Sequence, residues 1–288
     1  MTTLPSIYEH AKRFGIIARK SLGQNFLFDE NLNDKIVRLA GPLEGKDVIE
    51  IGPGPGGLTR SILKCSPRKL TVIEKDDRCI ELLKEIQSIY PQLEIISEDA
   101  LKISIRKLLV GTDNYDSQNL VSKKCKIISN LPYNIGTVLL FKWLDEIDLI
   151  SDMTLMFQRE VADRICAKEN TSAYGKLSIM VQLKAEAQKA MDLSPKAFTP
   201  PPKVSSAIVK INPLDSQPSP ELAEIIKKLV DGGFSNRRKM INKSFASAVK
   251  SPEIYNKAGI SPTLRAENLS LQDYIRLAEA ILNANSKE

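Results

Sequence analysis

The sequence predicts an α/β protein with a doubly wound sheet of seven strands and a small all-α C-terminal domain. Between residues 47 and 211, short apolar runs alternate with longer helical patterns, as expected for a parallel sheet with crossover helices. Residues 212–220 are rich in proline and serine, which interrupt regular structure. Only helical patterns follow, so we place the domain boundary between residues 212 and 213.

The individual elements follow from the same patterns in chain order. Asp29 is a typical N-cap for a helix in which Leu32, Ile36 and Leu39 share one face, so residues 24–27 before it are expected on a loop. Strands are predicted at residues 47–51, 69–74, 93–97, 126–129, 153–158, 182–191 and 205–211. A polar surface loop is predicted at 111–118, and C-terminal helices at 222–229, 241–249 and 271–281.

The charge of the chain is modest, with 41 basic and 35 acidic residues, but its basic residues are unevenly distributed. Residues 10–28 contain four cations and no acid, and residues 232–252 contain five cations and no acid. The first group is Lys12, Arg13, Arg19 and Lys20; the second is Arg237, Arg238, Lys239, Lys243 and Lys250. Stretches of one sign are typical of a surface that follows nucleic-acid phosphates.

Cysteine and histidine usage excludes several classes of protein. The four cysteines are far apart and form no Cys-x-x-Cys pair, so we expect neither a metal site nor disulfide bonds. His10 is the only histidine and lies in a polar N-terminal segment, which does not fit hydrolases that need a histidine base. Without a secretion signal or an apolar run of membrane length, we expect a cytoplasmic protein. We also expect a monomer.

The first predicted strand runs directly into a glycine-rich loop, residues 52–57 (Gly-Pro-Gly-Pro-Gly-Gly). Gly52, Gly54 and Gly57 match the Rossmann-like dinucleotide fingerprint, in which glycine lets the backbone approach a ligand. Glu74 ends the second strand, where a carboxylate can accept hydrogen bonds from ribose hydroxyls. These features predict an adenosine-containing cofactor, and alone they fit a nicotinamide dinucleotide as well as S-adenosylmethionine.

The ends of the third and fourth strands favour S-adenosylmethionine. Asp99 follows the third strand, where its carboxylate can accept from an adenine amine or cap a helix. Residues 130–133 (Asn-Leu-Pro-Tyr) follow the fourth strand, and a turn alone would be the simpler explanation for them. After a glycine loop and two placed acids, we interpret this tetrapeptide as a binding site for an acceptor base.

These residue types fit methyl transfer to the exocyclic amine of adenine. The side-chain carbonyl of Asn130 and the main-chain carbonyl of Leu131 can accept the two amine hydrogens and direct the nitrogen lone pair toward a donor methyl. Their dipoles would stabilise the positive charge that grows on the nitrogen. Tyr133 offers a ring on which an extruded base can stack. No histidine base is needed.

Five motifs occur in chain order over nearly the whole sequence. They are residues 20–27 (Lys-Ser-Leu-Gly-Gln-Asn-Phe-Leu), 50–54 (Glu-Ile-Gly-Pro-Gly), 130–135 (Asn-Leu-Pro-Tyr-Asn-Ile), 198–204 (Phe-Thr-Pro-Pro-Pro-Lys-Val) and 236–239 (Asn-Arg-Arg-Lys). In this combination the chain resembles the small-subunit ribosomal RNA adenine dimethyltransferases, relatives of the erythromycin-resistance methyltransferases.

The resemblance implies an S-adenosylmethionine-dependent methyltransferase domain at residues 1–212 and a helical RNA-docking domain at 213–288. It implies N6-dimethylation of two adjacent adenines in a hairpin near the 3′ end of small-subunit (16S) ribosomal RNA, late in assembly of the immature small subunit. The implied cofactor pocket consists of Asn25, Leu27, Gly52, Glu74 (on the ribose), Asp99 (on the adenine) and Asn130.

The resemblance also suggests RNA contacts, each with a simpler alternative. Phe198 would flank the target base opposite Tyr133, or pack on the core as a loop aromatic. Arg237, Arg238 and Lys239 would contact phosphates, or form an ordinary solvated helix face.

Three other functions remain open. The glycine loop would also serve a nicotinamide-dependent oxidoreductase, although residues 130–133 would then have no role. The chain could keep the fold as a non-catalytic RNA-binding assembly factor, or methylate adenine in DNA.

Overall fold

A computed structural model describes residues 4–19, 23–110 and 124–285. The loop predicted at residues 111–118 and residues 20–22 of the first motif lie outside these ranges. The chain forms two compact units, which we call the sheet unit (Met1–Ala162 and Gln188–Pro213) and the helical unit (Asp163–Ala187 and Leu214–Glu288).

The sheet has seven strands within the described residues, and the expected α/β Rossmann-like fold class is confirmed. The strands are β1 (Asp47–Ile51), β2 (Lys69–Glu74), β3 (Leu93–Ser97), β4 (Cys125–Asn130), β5 (Ile150–Gln158), β6 (Ala185–Leu193) and β7 (Ser206–Pro213), in the order β3-β2-β1-β4-β5-β7-β6. The first three have the predicted bounds. Strand β6 begins at Ala185 rather than at residue 182, because Lys176–Gln182 is helical.

The sheet is mixed, whereas the alternating pattern predicts a parallel one. Strands β1 to β5 are parallel, but β7 lies between β5 and β6 and is antiparallel to β5, with Met153 opposite Ile211. The chain enters β7 through residues 194–205, which contain one 3₁₀ turn and no α-helix. Two consecutive strands that are neighbours can be parallel only if the connection between them crosses a face of the sheet. The short connection from β6 to β7 does not cross it.

The helices are α1 (Ile7–Arg13), α2 (Glu30–Leu39), α3 (Gly57–Leu63), α4 (Asp77–Ile89), α5 (Ile105–Val110), α6 (Gly136–Asp145), α7 (Arg159–Ile165), α8 (Lys176–Gln182), α9 (Pro220–Ser235), α10 (Ile241–Ser244), α11 (Pro252–Ala258) and α12 (Leu271–Asn285). The predicted cap of α2 is present, since the Asp29 side chain accepts from the Leu32 N–H. The helix predicted at 241–249 ends at Ser244, although Phe245 and Val249 are buried as the pattern requires.

Parallel strands bring the chemistry-bearing residues of the sheet unit to one edge. Register pairs Ile51 with Ile73 and Glu74 with Ser97, so the loops after β1, β2 and β3 leave the sheet side by side. Asn130 is the last residue of β4, next to β1. In open α/β sheets, ligands bind outside this carboxyl edge.

The N-terminal segment is structured, which the sequence patterns did not predict. Helix α1 begins after Ser6, whose side chain accepts from the Glu9 N–H while Glu9 bonds back to the Ser6 N–H. His10, expected in a polar segment, is fully buried on this helix.

The helical unit has its own apolar core and is larger than expected. Tyr174, Ile179 and Leu183 pack with buried residues of α9 and α12, such as Leu229 and Leu277. Residues 163–187 therefore group with the helical unit, whereas the predicted boundary assigned them to the first domain.

Replacement of Ile62 tests the core that supports the glycine loop. Ile62 lies on α3 and is fully buried, so we expect Ile62→Ala to lower the free energy of unfolding by about 2–5 kcal/mol. Urea unfolding followed by fluorescence of Trp143, the only tryptophan and buried in the sheet unit, measures this change. The control is Ile17→Ala, because Ile17 is 76% exposed, and its effect should stay within about 0.5 kcal/mol. Equal losses in both variants would contradict the prediction.

Candidate active site

The glycine loop takes a backbone path that side chains would obstruct. Gly52, Gly54 and Gly56 have φ values of 63°, 54° and 78°, in the left-handed region that favours glycine. A Cβ on Gly54 would lie 3.0 Å from the Phe26 ring, and a Cβ on Gly57 would lie 2.7 Å from the Leu27 carbonyl oxygen. The loop therefore packs directly against residues 26–27.

Glu74 ends β2 and is held by three backbone amides. Oε2 accepts from the Gly54 N–H at 3.1 Å, and Oε1 accepts from the N–H groups of Lys75 (2.8 Å) and Asp76 (2.9 Å). Burial raises the pKa of Glu74, and these hydrogen bonds oppose the shift. The carboxylate thus fixes the glycine loop to the turn after β2, and its unused lone pairs can accept from a ligand's hydroxyls.

Glu50 is a second buried acid at the site, and the sequence patterns gave it no role. It lies on β1, is 2% exposed and lines the same cavity as Glu74. Oε2 accepts from the Thr59 hydroxyl at 2.7 Å. Burial raises the pKa of Glu50 to about 8, with a further contribution from the charge of Glu74. A glutamate between apolar residues of a predicted strand is the sequence signal that could have identified it.

Asp99 fulfils the simpler of its two predicted roles and also lines the cavity. Its Oδ1 accepts from the Leu101 N–H at 3.0 Å and caps a 3₁₀ turn. Its Oδ2 lies 3.4 Å from the Lys75 Nζ. The Leu101 hydrogen bond lowers the pKa of Asp99, so the group is an ionised acceptor at neutral pH. While it caps this turn, the Asp99 carboxylate remains at the cavity wall, where it can still accept a hydrogen bond from an amine.

Asn130 and Leu131 present acceptors at the tip of β4. The Asn130 side-chain Nδ2 donates to the Asn25 carbonyl oxygen at 3.4 Å, which orients the amide. The amide oxygen Oδ1 is then the remaining polar atom of the side chain, and both residues line the cavity. Among the described residues, no group donates to this oxygen or to the Leu131 carbonyl oxygen.

Tyr133 is oriented by its hydroxyl group. The hydroxyl lies 2.5 Å from the Ser206 Oγ, and the partly buried residue lines the cavity beside Asn130 and Leu131. Burial raises the pKa of Tyr133, so the phenol is neutral. The bond restricts rotation of the side chain and keeps the ring in a fixed place next to the two acceptors.

These side chains surround one cavity with an empty volume of about 910 Å³, part of it open to solvent. All six predicted cofactor residues line it: Asn25, Leu27, Gly52, Glu74, Asp99 and Asn130. Its described lining carries two acids with lowered pKa values, Glu98 and Asp99, which are ionised at neutral pH, against the single cation Lys75. Negative charge suits a sulfonium and an ammonium group and opposes the pyrophosphate of a dinucleotide. The cavity therefore fits S-adenosylmethionine better than a nicotinamide cofactor.

Phe198 is not part of the cavity wall. It is 3% exposed and belongs to the apolar core of the sheet unit, so its side chain is not presented to a base in this structure. Thr199, the next residue, exchanges two backbone hydrogen bonds with Phe26, at 3.0 and 2.9 Å. The segment therefore supports the 25–27 loop from behind, a positioning role that the motif alone did not reveal.

The cluster of residues 237–239 divides into one structural cation and two exposed ones. Arg237 Nε donates to Glu267 Oε2 at 2.6 Å, and its NH2 group donates to the carbonyls of Ser172 and Tyr174. The contact of Arg237 with phosphate stays a prediction, and in this structure its guanidinium is paired with an acid that is distant in sequence. Arg238 and Lys239 are exposed, with no ion pair to any described acid.

In the first basic stretch, Arg13 forms an ion pair with Glu85, while Lys12 and Arg19 are exposed. Within the described ranges there is no group of three candidate metal ligands. No described helix has the length and apolar character needed to cross a membrane.

Comparisons with known proteins identify the family of the chain. The sequence profile of the family described as "Ribosomal RNA adenine dimethylase" matches residues 16–283. The chain is 43% identical to the "Ribosomal RNA small subunit methyltransferase A" of Mesorhizobium japonicum, over 96% of this chain and 98% of that protein. It is 46% identical to the protein of the same name from a Ruegeria species, over 96% and 97% of the two chains.

Solved structures show the same architecture. A dimethyladenosine transferase from Plasmodium falciparum superposes with a TM-score of 0.72 at 26% identity, over 90% of this chain and 97% of that one. The 23S rRNA methyltransferase ErmE superposes with a TM-score of 0.67 at 24% identity, over 89% and 99%, and shows the fold. The chain therefore belongs to the ribosomal RNA adenine dimethylase family and is a methyltransferase that uses S-adenosylmethionine.

Proposed function

We propose that the chain transfers methyl groups from S-adenosylmethionine to the N6 amines of two adjacent adenines, in a hairpin near the 3′ end of small-subunit ribosomal RNA. The relatives named as small-subunit methyltransferases support this substrate. The observation that carries the proposal is the pair of carbonyl oxygens, Asn130 Oδ1 and Leu131 O, that line the cavity without a donor from the described chain.

The two oxygens act on the amine that is to be methylated. An adenine amine is a weak nucleophile, because its lone pair is delocalised into the ring. Two acceptors on its two hydrogens hold the nitrogen in place and direct the lone pair out of the ring plane. As the carbon–nitrogen bond forms, the nitrogen becomes positive, and the carbonyl dipoles stabilise that state more than the ground state. The methylated nitrogen then releases one proton to water, and no histidine is required for either step.

The cofactor supplies a methyl group that is bonded to a positively charged sulfur. After the transfer, the leaving group is a neutral thioether. Glu74 would accept hydrogen bonds from the ribose hydroxyls of this cofactor, and Asp99 would accept one from its adenine amine. Asn25, Leu27 and Gly52 form the wall against which it lies. The Asn130 amide links the two sites, because its nitrogen is bonded to Asn25 and its oxygen faces the acceptor base.

Tyr133 stacks on the target base once it has left its strand. Stacking on an aromatic ring is worth about 1–3 kcal/mol per base and offsets the loss of stacking in the RNA. The bond between its hydroxyl and Ser206 means that the ring is already in place before RNA binds.

The helical unit docks the RNA through its exposed cations. Arg238 and Lys239 are available for phosphates, while Arg237 supports them by fixing the backbone between α7 and α8, at Ser172 and Tyr174. The proposed partner is the immature small ribosomal subunit, bound late in assembly by a monomer in the cytoplasm. The names of the relatives support small-subunit ribosomal RNA as the binding partner.

Mass spectrometry of small-subunit RNA tests the proposed function. In cells that lack this protein, we expect the two adjacent adenines to lose all four N6 methyl groups, and the wild-type chain should restore them. Restoration of subunit maturation by Asn130→Ala, with no methyl transfer, would support a non-catalytic assembly factor instead. Methyl transfer to duplex DNA alone would indicate DNA methylation.

Asn130→Ala tests the acceptor pair directly. Loss of one preorganised dipole should lower kcat by about 10²–10³-fold in single-turnover assays with ribosomal RNA. Asn130→Asp keeps an oxygen at this position and serves as the control, so it should retain more activity than the alanine variant. Equal rates for the wild type and Asn130→Ala would contradict the assigned role.

Tyr133→Ala tests whether the ring captures the base. We expect the KM for RNA to rise by roughly 10-fold or more from the lost stacking, with the Kd of S-adenosylmethionine within about twofold of the wild type. Tyr133→Phe keeps the ring and loses only the Ser206 bond, so its KM should rise less. An equal loss of cofactor affinity would show that the ring does not act on the base.

The double change Arg238→Ala and Lys239→Ala tests phosphate docking. Fewer counterions would be released, so the slope of log K against log salt should fall by about 1–2. Filter binding over a range of KCl concentrations measures this slope. Arg237→Ala should instead lower the thermal stability of the protein, because it leaves Glu267 and two carbonyls without their donor. An unchanged slope in the double variant would exclude the docking role.

A further inference from the structure

The only histidine of the chain connects three helices inside the sheet unit. His10 lies on α1 and is 0% exposed. Its Nδ1 is 2.5 Å from an NH2 nitrogen of Arg60 on α3, and its Nε2 is 2.9 Å from Oε2 of Glu85 on α4. Both ring nitrogens are therefore used, each by a different helix.

The partners determine the protonation state of this ring. An arginine side chain can only donate, so Nδ1 of His10 must accept from Arg60 and carries no hydrogen. The hydrogen is then on Nε2 and is donated to the Glu85 carboxylate. A second proton would remove the Nδ1 acceptor and place an imidazolium against a guanidinium. The arrangement requires a neutral His10.

Arg60 also holds the same segment through a second hydrogen bond. Its NH1 group donates to the Pro5 carbonyl oxygen at 2.6 Å, just before α1. Its Nε is buried with no hydrogen-bond partner in the described chain. Loss of His10 would leave a second buried donor of Arg60 unpaired, which is costly in a protein interior.

Helix α1 also contacts the start of α3, next to the cofactor cavity. Arg60 lies on α3 one turn after Gly57, and a Cβ on Gly57 would be 3.5 Å from the Ile7 side chain and 2.7 Å from the Leu27 oxygen. Helix α1 is thus packed against the helix that begins at the glycine loop.

A second set of bonds holds the far end of the segment. Arg78 donates to the Ile17 carbonyl oxygen and to Asp76, and Asp76 accepts from Gln24 at 3.0 Å. Asp76 also donates its N–H to Glu74. Asn25 and Leu27, which line the cavity, follow directly after Gln24.

We propose that neutral His10 is a positioning residue for S-adenosylmethionine: its two hydrogen bonds fasten α1 to α3 and α4, and so hold residues 23–27 against the cofactor cavity. It touches neither cofactor nor RNA. The proposal depends on cofactor binding and not on which RNA is methylated, so its test is independent of the substrate.

The proposal has a pH dependence with a defined sign. Burial lowers the pKa of His10 below its ordinary value of 6.5. The fastened state is thus fully stabilised above pH 6.5 and loses that stabilisation as pH falls through the lowered value. The charged or titratable groups around the ring and around Arg60 are Arg60, Glu85, Arg13, Glu30 and Tyr90.

Calorimetric titration of S-adenosylmethionine into the full chain, from pH 5 to 8, tests the proposal. His10→Leu should raise the Kd about tenfold at pH 7.5, while kcat at saturating cofactor stays within about twofold. His10→Gln should restore affinity, because its amide can accept from Arg60 and donate to Glu85 but cannot take up a proton. Its affinity should therefore not show the additional acid-side loss of the wild type.

Glu81→Gln is the matched control, since Glu81 lies on α4 one turn before Glu85 and, among the described residues, pairs only with the exposed Lys84. Its pH profile should coincide with that of the wild type. Titration of Glu50 and Glu74 affects all variants alike, so the difference between His10→Gln and the wild type isolates His10. Identical profiles for these two proteins would overturn the proposal, even if His10→Leu does not fold. A folded His10→Leu with wild-type Kd would do so as well.

Discussion

The close approach of two backbones is the constraint on which the cofactor site depends. A Cβ on Gly57 would lie 2.7 Å from the Leu27 carbonyl oxygen, so glycine is sterically required there, while Gly54 has a left-handed φ of 54° and lies close to the Phe26 ring. Behind residues 26–27 lies the 198–199 segment, bonded to Phe26 through its backbone. In front, Glu74 accepts from the Gly54 amide and links the loop to β2. Segments from four parts of the sequence thus form one wall.

Much of the sheet and of this wall could be predicted from local sequence. Strands β1 and β2 are buried along most of their length and give apolar runs, and the runs at 47–51, 69–74 and 93–97 gave the observed bounds. The acids and the amide that follow such runs must share the carboxyl edge of a parallel sheet, which is why Glu74, Asp99 and Asn130 line one cavity. The antiparallel β7 was not predictable in this way, because strand direction depends on the connection rather than on the run itself.

What local sequence could not show were pairings between distant residues. His10 sits among polar neighbours in sequence but between Arg60 and Glu85 in space. Arg237 has no acid near it in the chain, yet Glu267 reaches it from the loop before α12. Phe198 is in a motif, but its aromatic side chain is used for packing. The partners of His10 and Arg237 are 50 and 30 residues away in sequence, where periodicity and motif spacing carry no information.

The discontinuous helical unit has a consequence for the order in which the protein can form during synthesis. The chain leaves the sheet unit at Ala162 and returns at Gln188, so β7 pairs with β5 only after the intervening residues have been made. Tyr174, Ile179 and Leu183 belong to those residues, and α9 and α12, which pack with them, are synthesised after them. A chain that stops at residue 212 would therefore expose this apolar surface. The two units are separate in their cores, but no single cut in the polypeptide separates them.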